Sequence, residues 1–314
     1  MGEIGQNILG PMSDTDCKEL AQTFCPEMID SVTRLSGSGN SRIFRVLSNS
    51  GSTYALKSYP DLLGDPRPRL RTEVKACDFL EHLRLTPRAV ASDEELNLAL
   101  FEWIDGNALR MITTRHIDQA LSFSNMLKEL AKDVHVNFQE ASEACLSAVQ
   151  LFSQVEERIW NLESVQNLEL QYFLETSIKP LWKEIREWSG SKWPADSFES
   201  NLSRLNQTLS PSDFGFHNAI LKENGDLAFF DFEYFGRDDP VKLMADFIWH
   251  PGMKLKNLQK IDWLKGAISI FDSDPELVLR FKSAWPMYGL RWSLILLNEF
   301  VNEGWQKRVY ANVN

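Results

Sequence analysis

Long apolar runs are what this 314-residue sequence most plainly lacks. No stretch approaches the ~18 consecutive apolar residues of a membrane-spanning helix, so no span is expected. Cysteine is scarce: Cys17, Cys25, Cys77 and Cys145 show neither a C-x-x-C pair nor a metal-ligand spacing. Four are too few to staple a chain of this length, and reduced thiols in a cytoplasmic setting are the expectation. Cations are in deficit, with 33 Lys and Arg against 44 Asp and Glu and a formal charge of -11. General nucleic-acid binding, which needs a basic face, is therefore not expected. The opening residues, MGEIGQNILGPMSDTD, hold no basic stretch followed by an apolar one, and Gln6 spoils a myristoylation pattern. Internal repeats, low-complexity tracts and linkers are missing too. The ordinary apolar fraction, 43%, allows a large core, in two lobes at this length.

What is present is concentrated between residues 209 and 233, LSPSDFGFHNAILKENGDLAFFDFE. Asp213 stands among Ser210, Pro211, Ser212 and Gly215, residues that favour turns, so a loop should present its carboxylate. Loops on a buried scaffold are where catalytic groups are commonly displayed. From Asn218 the chain becomes apolar, breaks at Asn224-Gly225, and returns through Leu227, Ala228, Phe229 and Phe230 to Asp231. Asn-Gly between two apolar runs predicts a hairpin with a type I′ turn, in which both central residues take positive φ. Such a hairpin brings Asp231 back beside Asn218. An amide and a carboxylate next to a loop-borne acid suit a hard cation with a general base beside it. The same residue types also cap and hydrogen-bond locally in turns, and spacing alone does not choose between the two.

Upstream, residues 32–59 read as three antiparallel strands, the first pair joined by Ser36-Gly37-Ser38-Gly39-Asn40-Ser41. Small residues there let backbone N–H groups approach phosphate oxygens, because no Cβ intervenes. Lys57 lies on the third strand, on the face opposite Leu56. A helix is predicted over residues 70–85, with Glu73 in its first turn, where the helix dipole favours a carboxylate. Strands around 86–91 and 96–103 end at Asp105-Gly106, which marks a lobe boundary.

These residues together carry a resemblance. The pattern D-x-x-x-x-N from Asp213 to Asn218, then D-F-x at Asp231, with Y-A-L-K ending at Lys57 and a partial G-x-G at Gly37 and Gly39, resembles the aminoglycoside phosphotransferase and choline kinase-like branch of the protein kinase-like fold. The resemblance implies an α+β, two-lobed architecture. Residues 1–106 would form a small antiparallel-sheet, nucleotide-binding lobe, and residues 107–314 a mainly helical lobe carrying the catalytic loop and the acceptor pocket. It implies ATP, or GTP, with Mg²⁺, and a small-molecule hydroxyl acceptor such as an aminoglycoside, an amino alcohol or a sugar. Asp213 would be the catalytic base, and Asn218 and Asp231 the metal ligands. Lys57 would clamp the phosphates with Glu73 behind it, Gly37, Ser38 and Gly39 would cover them, and Glu102, Trp103 and Ile104 would meet the adenine edge. Two positions depart from the pattern: Arg42 replaces the third glycine, and Pro211 stands where the family usually has a histidine that braces the loop. The alternative these departures support is a non-catalytic nucleotide-binding regulator of the same fold. The absence of an A-P-E segment and of a long insert after Asp231 argues against a protein substrate.

Between the two motif regions the pattern is helical, over residues 116–137, 142–164, 168–189 and 197–208. Leu127, Leu130, Ala131, Val134 and His135 fall on one helical stripe, so His135 is expected to be a partly buried structural histidine. Trp160, Trp182, Trp188 and Trp193 are expected to be mostly core. Residues 241–249 predict a helix in which Asp246 is structural, followed by closing helices over 255–271 and 275–304.

Overall fold

The computed structural model of the protein describes residues 14–35, 41–60 and 67–301. Among them, residues up to 107 together with 220–233 form one compact unit, and residues 108–219 with 234–301 form the other. Residues 220–233, expected with the helical lobe, thus cluster with the sheet, because their hairpin continues the sheet unit's own packing: Phe229 N–H donates to the Leu85 carbonyl at 2.7 Å.

The sheet unit begins with α1 (Asp14–Phe24), β1 (Ile29–Leu35), β2 (Arg42–Ser48), β3 (Thr53–Ser58), α2 (Arg69–Leu80), β4 (Ala89–Asp93) and β5 (Leu98–Glu102). The strands pair antiparallel in the order β1-β2-β3-β5-β4. Alternation sets the faces. Phe44 and Val46 of β2, Leu56 of β3, and Leu98 and Leu100 of β5 turn to one side and pack with Ala21, Cys25 and Ile29. Lys57, one residue along from Leu56, therefore turns to the other side. α2 buries Leu70, Glu73, Ala76, Cys77 and Leu80, a helical stripe with one acid in it. Glu73 sits in the second turn rather than the first, so its partner is a side chain and not the helix dipole.

Downstream strands are short: β6 (Asn107–Ala108), β7 (Thr208–Ser210), β8 (Ala219–Leu221), β9 (Leu227–Phe229) and β10 (Gly236–Asp238). β8 and β9 make the expected hairpin, but its turn is not type I′. Gly225 alone takes positive φ, 82°, and its N–H closes the turn on the Lys222 carbonyl at 2.9 Å. Asn224 acts through its side chain instead, accepting from Asp226 N at 3.0 Å.

The helical unit holds α3 (Thr114–Ala131), α4 (Ala148–Glu163), α5 (Leu168–Phe173), which runs through a π turn into α6 (Lys179–Lys192), then α7 (Pro240–Trp249), α8 (Asn257–Ile270) and α9 (Leu277–Leu296). α9 packs on α4, α6 and α7, and α8 packs on α3. Several helices stop short of their apolar pattern. α3 ends at Ala131, whose carbonyl accepts from the buried Arg237 guanidinium at 3.0 Å, so Val134 and His135 are exposed and the expected structural histidine is not one. Residues 142–147 are irregular, and Ser147 caps α4 through its hydroxyl. The helix expected over 197–208 is a single short turn, Ala195–Ser197, before an irregular run into β7. Trp182 and Trp193 are core, whereas Trp160 and Trp188 lie at the surface. Among the described residues, no helix is long and apolar enough to cross a membrane.

Behind β7 and β10 lies a buried ionic layer. Asp239 caps α7, accepting from Val241 N at 2.9 Å, and takes two hydrogen bonds from Arg280, both at 3.0 Å. Both side chains are almost fully buried. Breaking one side of such a pair strands a charge out of water, at about 3–5 kcal/mol. Asp239→Ala is accordingly expected to lower the unfolding free energy by about that amount in a urea titration, and Asp239→Asn by less, because the asparagine still caps the helix.

Candidate active site

On the sheet unit the chemistry centres on one ammonium group. Lys57 Nζ lies 2.6 Å from Glu73 Oε2, 2.5 Å from Asp231 Oδ1 and 3.2 Å from Glu233 Oε2. Burial alone would lower the lysine pKa. Asp231, Glu233 and Glu73 outweigh it and raise the value well above the ordinary one, so the ammonium keeps its proton. Glu73 is held in turn, accepting from the Tyr59 hydroxyl at 2.7 Å and from Phe232 N at 3.3 Å. Asp231 experiences the opposite balance. Burial and the charges of Glu233 and Glu73 exceed the pull of Lys57, and its carboxyl rises to about 7. Lys57, with Arg69 at 3.6 Å from Glu233, offsets the three carboxylates only in part, and all three offer hard oxygen ligands within 4.8 Å of one another. That donor set fits a hard dication such as Mg²⁺. Asp231 also takes φ of 68°, an uncommon backbone state that aims its carboxylate and that packing must hold.

The remaining sheet-unit positions divide. Glu102, the last residue of β5, and Trp103 and Ile104 just after it line a cavity of about 510 Å³ with Arg84, Arg88 and Lys222. Lys57 pairs with Ala99, three residues before Glu102 on the same strand, which separates them by about 10 Å. Trp103 N–H is already engaged by the Thr53 carbonyl at 3.4 Å, and Arg45 lies over its ring. Gly37, Ser38 and Gly39 lie outside the described residues.

On the helical unit, Asp213 sits in the loop between β7 and β8. Two phenylalanines anchor that loop. Phe214 stacks on Phe123 and packs against Phe247 and Trp263, while Phe216 meets Phe247 edge-on. The residues flanking the two phenylalanines, Asp213 and His217, are left half-buried. Ser212, at φ 66°, receives a hydrogen bond from Lys242 Nζ at 2.9 Å and donates to the Ser142 carbonyl at 2.9 Å. Asn218 Nδ2 donates to the Asp213 carbonyl at 3.0 Å, so the amide oxygen is the atom it has to offer a cation. Burial pushes the Asp213 carboxyl up, but the hydrogen bond and charge of His217, with His250 and Asn218, bring it below the usual aspartate value. Asp213 is therefore ionised at neutral pH.

The sequence profile of the phosphotransferase enzyme family matches residues 31–253, most of the chain, including Lys57, Glu73, Asp213, Asn218 and Asp231. The chain belongs to that family. The fold of this phosphotransferase is that of solved relatives at low identity. It superposes on APH(2″)-IIa, solved with streptomycin and ATP, with a TM-score of 0.60 at 19% identity, covering 91% of this chain and 90% of that one. The choline kinase LicA, solved with AMP, gives 0.61 at 16%, covering 97% and 100%. Spectinomycin phosphotransferase APH(9)-Ia, solved with ADP and spectinomycin, gives 0.61 at 10%, covering 96% and 95%. No curated protein sequence matches the phosphotransferase closely enough to count as a relative.

Three further groups of this phosphotransferase's site escape a motif reading. Glu233, the third residue of the Asp-Phe-Glu triplet, is buried against Lys57 and lies 3.6 Å from Arg69. His217 and His250 both face Asp213, with Nε2 atoms 2.9 and 3.6 Å from Oδ1. His217 lies inside the D-x-x-x-x-N motif as one of its unspecified positions, and His250 is 33 residues past Asn218's neighbour His217, so neither spacing signals the pair.

The carboxylate cluster yields a pH prediction. Lys57→Met removes the counter-charge that opposes burial at Asp231, so the carboxyl, already raised to about 7 in the parent, rises further above its unfolded value. Stability lost by the variant is thus largest at alkaline pH and recovered as pH falls through that raised value and Asp231 protonates. Thermal melts of variant and parent between pH 5 and about 9 are expected to converge toward the acid end.

Proposed function

We propose that this chain transfers the γ-phosphoryl group of ATP to a hydroxyl group of a small molecule. The observation that carries the proposal is the buried Lys57 ammonium held between Glu73 and Asp231, a cation fixed on a strand where it can meet phosphate oxygens. Solved relatives of the same fold hold ATP, ADP or AMP, which supports a nucleotide as donor. Lys57 binds the phosphates with Glu73 fixing its direction, and Asn218 and Asp231 are the proposed Mg²⁺ ligands. The metal ion supplies charge neutralisation on the phosphate oxygens.

Asp213 acts on the acceptor. It accepts a hydrogen bond from the hydroxyl and orients a lone pair of that oxygen toward the γ-phosphorus. The new O–P bond forms as the bond to the β,γ-bridging oxygen breaks, ADP leaves, and the hydroxyl proton passes to the Asp213 carboxylate. A carboxylate held below its ordinary pKa is a weak base, which suits a loose transition state in which the acceptor oxygen needs positioning more than early deprotonation. The acceptor class rests on the relatives, which include structures solved with streptomycin and with spectinomycin and a choline kinase; an aminoglycoside, amino alcohol or sugar is proposed here.

Asp213→Asn should lower kcat by ~10²- to 10⁴-fold in an ATP-consumption assay across a panel of such acceptors, with nucleotide affinity retained. An undiminished kcat would remove Asp213 from the mechanism. Asp231→Ala should abolish Mg²⁺-dependent strengthening of ATP binding in a calorimetric titration, and equal affinities with and without Mg²⁺ in the parent protein would sink the metal assignment.

A further inference from the structure

The histidine that usually braces the catalytic loop of this family is replaced by Pro211, which has no side-chain donor and no N–H. The loop is braced from its other end. His217 curls back one turn and its Nε2 reaches Asp213 Oδ1 at 2.9 Å. This fold-back depends on Gly215, where a Cβ would stand 2.7 Å from the ring atoms Cε1 and Nδ1 of His217 and 2.5 Å from the Met253 sulfur. His250, at the end of α7, lies flat on His217, with ring centroids 3.7 Å apart and 10° between planes. Trp292 closes the other side of His250 edge-on at 4.5 Å, and its own Nε1 donates to Asp246 at 2.7 Å. Asp246 is fixed by Lys242 and Arg291.

The tautomers follow from the partners. Gly252 N–H donates to His250 Nδ1 at 3.1 Å, so the proton of this neutral ring sits on Nε2, 3.6 Å from Asp213 Oδ1. His217 faces an ionised carboxylate with Nε2, which therefore donates, while its Nδ1 is buried and receives no hydrogen bond. Two N–H groups thus converge on one oxygen of Asp213. The same three side chains could gather round a metal ion, yet both facing nitrogens carry protons and are not free as ligands.

We infer that His217, backed by His250, is the positioning residue of this phosphotransferase: it occupies Oδ1 of Asp213 and fixes the carboxylate's orientation, replacing the brace lost at Pro211. The inference rests on the reading of Asp213 as the group that receives the acceptor's proton.

Two measurements on the full chain test it. In steady-state turnover of MgATP with whichever panel acceptor is consumed, or with water when none is, His217→Ala is expected to lower kcat ~10- to 100-fold with KM for MgATP unchanged. His217→Gln, whose amide keeps a donor near the Nε2 position, should recover most of that loss, and His217→Ala should add nothing in an Asp213→Asn background. Equal kcat for parent and His217→Ala, or a glutamine variant as slow as the alanine one, overturns the positioning role. If Asp213→Asn itself keeps full turnover, the assignment of the base has failed instead. Independently of turnover, ring ¹⁵N NMR should show both histidines protonated on Nε2, with the His217 signals displaced in Asp213→Asn. A His217 whose Nε2 carries no proton overturns the inference whatever the kinetics.

Discussion

An ammonium group taken out of water is tolerated only among carboxylates, and most of the sheet unit can be understood as the means of satisfying Lys57. The strand alternation that buries Leu56 on one face delivers Lys57 to the other. α2 places Glu73 there, and the β8–β9 hairpin returns Asp231 and Glu233 to the same point. Each acid is costly to bury alone, and the lysine makes all three tolerable. Burial first, and then the surplus of negative charge, raises Asp231 to about 7, and that surplus gives the cluster its appetite for a dication.

The helical unit solves a different problem, holding a loop still without regular structure. Its means are apolar and ionic at once. Phe214 and Phe216 plug into an aromatic layer with Phe247 and Trp263, which are stacked 3.7 Å apart, and Lys242 reaches from α7 to Ser212. Lys242 is itself fully buried between Asp238 and Asp246, so the loop's backbone is tied to α7 through charges that cannot relax into solvent. A side chain projecting from such a loop keeps one direction, which is what a group acting on a hydroxyl oxygen requires.

Much of this was legible beforehand because it is local. Strand alternation around Leu56 and Lys57, the apolar stripe of α2, the turn at Asn224-Gly225 and the spacing from Asp213 to Asn218 are short-range patterns, and the fold they imply is the one observed. Structure departs from local periodicity where a remote residue overrides it. α3 stops at Ala131 because Arg237, more than a hundred positions away, caps its end, and Val134 and His135 then have no helix to face the core from. The run 197–208 had helical spacing, but its backbone pairs with the chain around the start of α4 instead of with itself: Leu202 N–H donates to the Leu146 carbonyl at 2.7 Å, and the Phe198 carbonyl accepts from Val149 N–H at 3.1 Å.

The sequence by itself determined which groups this protein can use: one strand lysine, a loop aspartate with an asparagine five positions on, and an Asp-Phe-Glu triplet after a hairpin. It determined the kind of lobe each belongs to as well, since alternation and helical periodicity are read along the chain. Only the tertiary structure decided how those groups are tuned. Glu233 becomes a third carboxylate on Lys57, and His217 and His250 become a stacked pair directed at Asp213, because burial and charge depend on what lies next in space, and neighbours in space such as Lys57 and Asp231 are 174 positions apart in the chain.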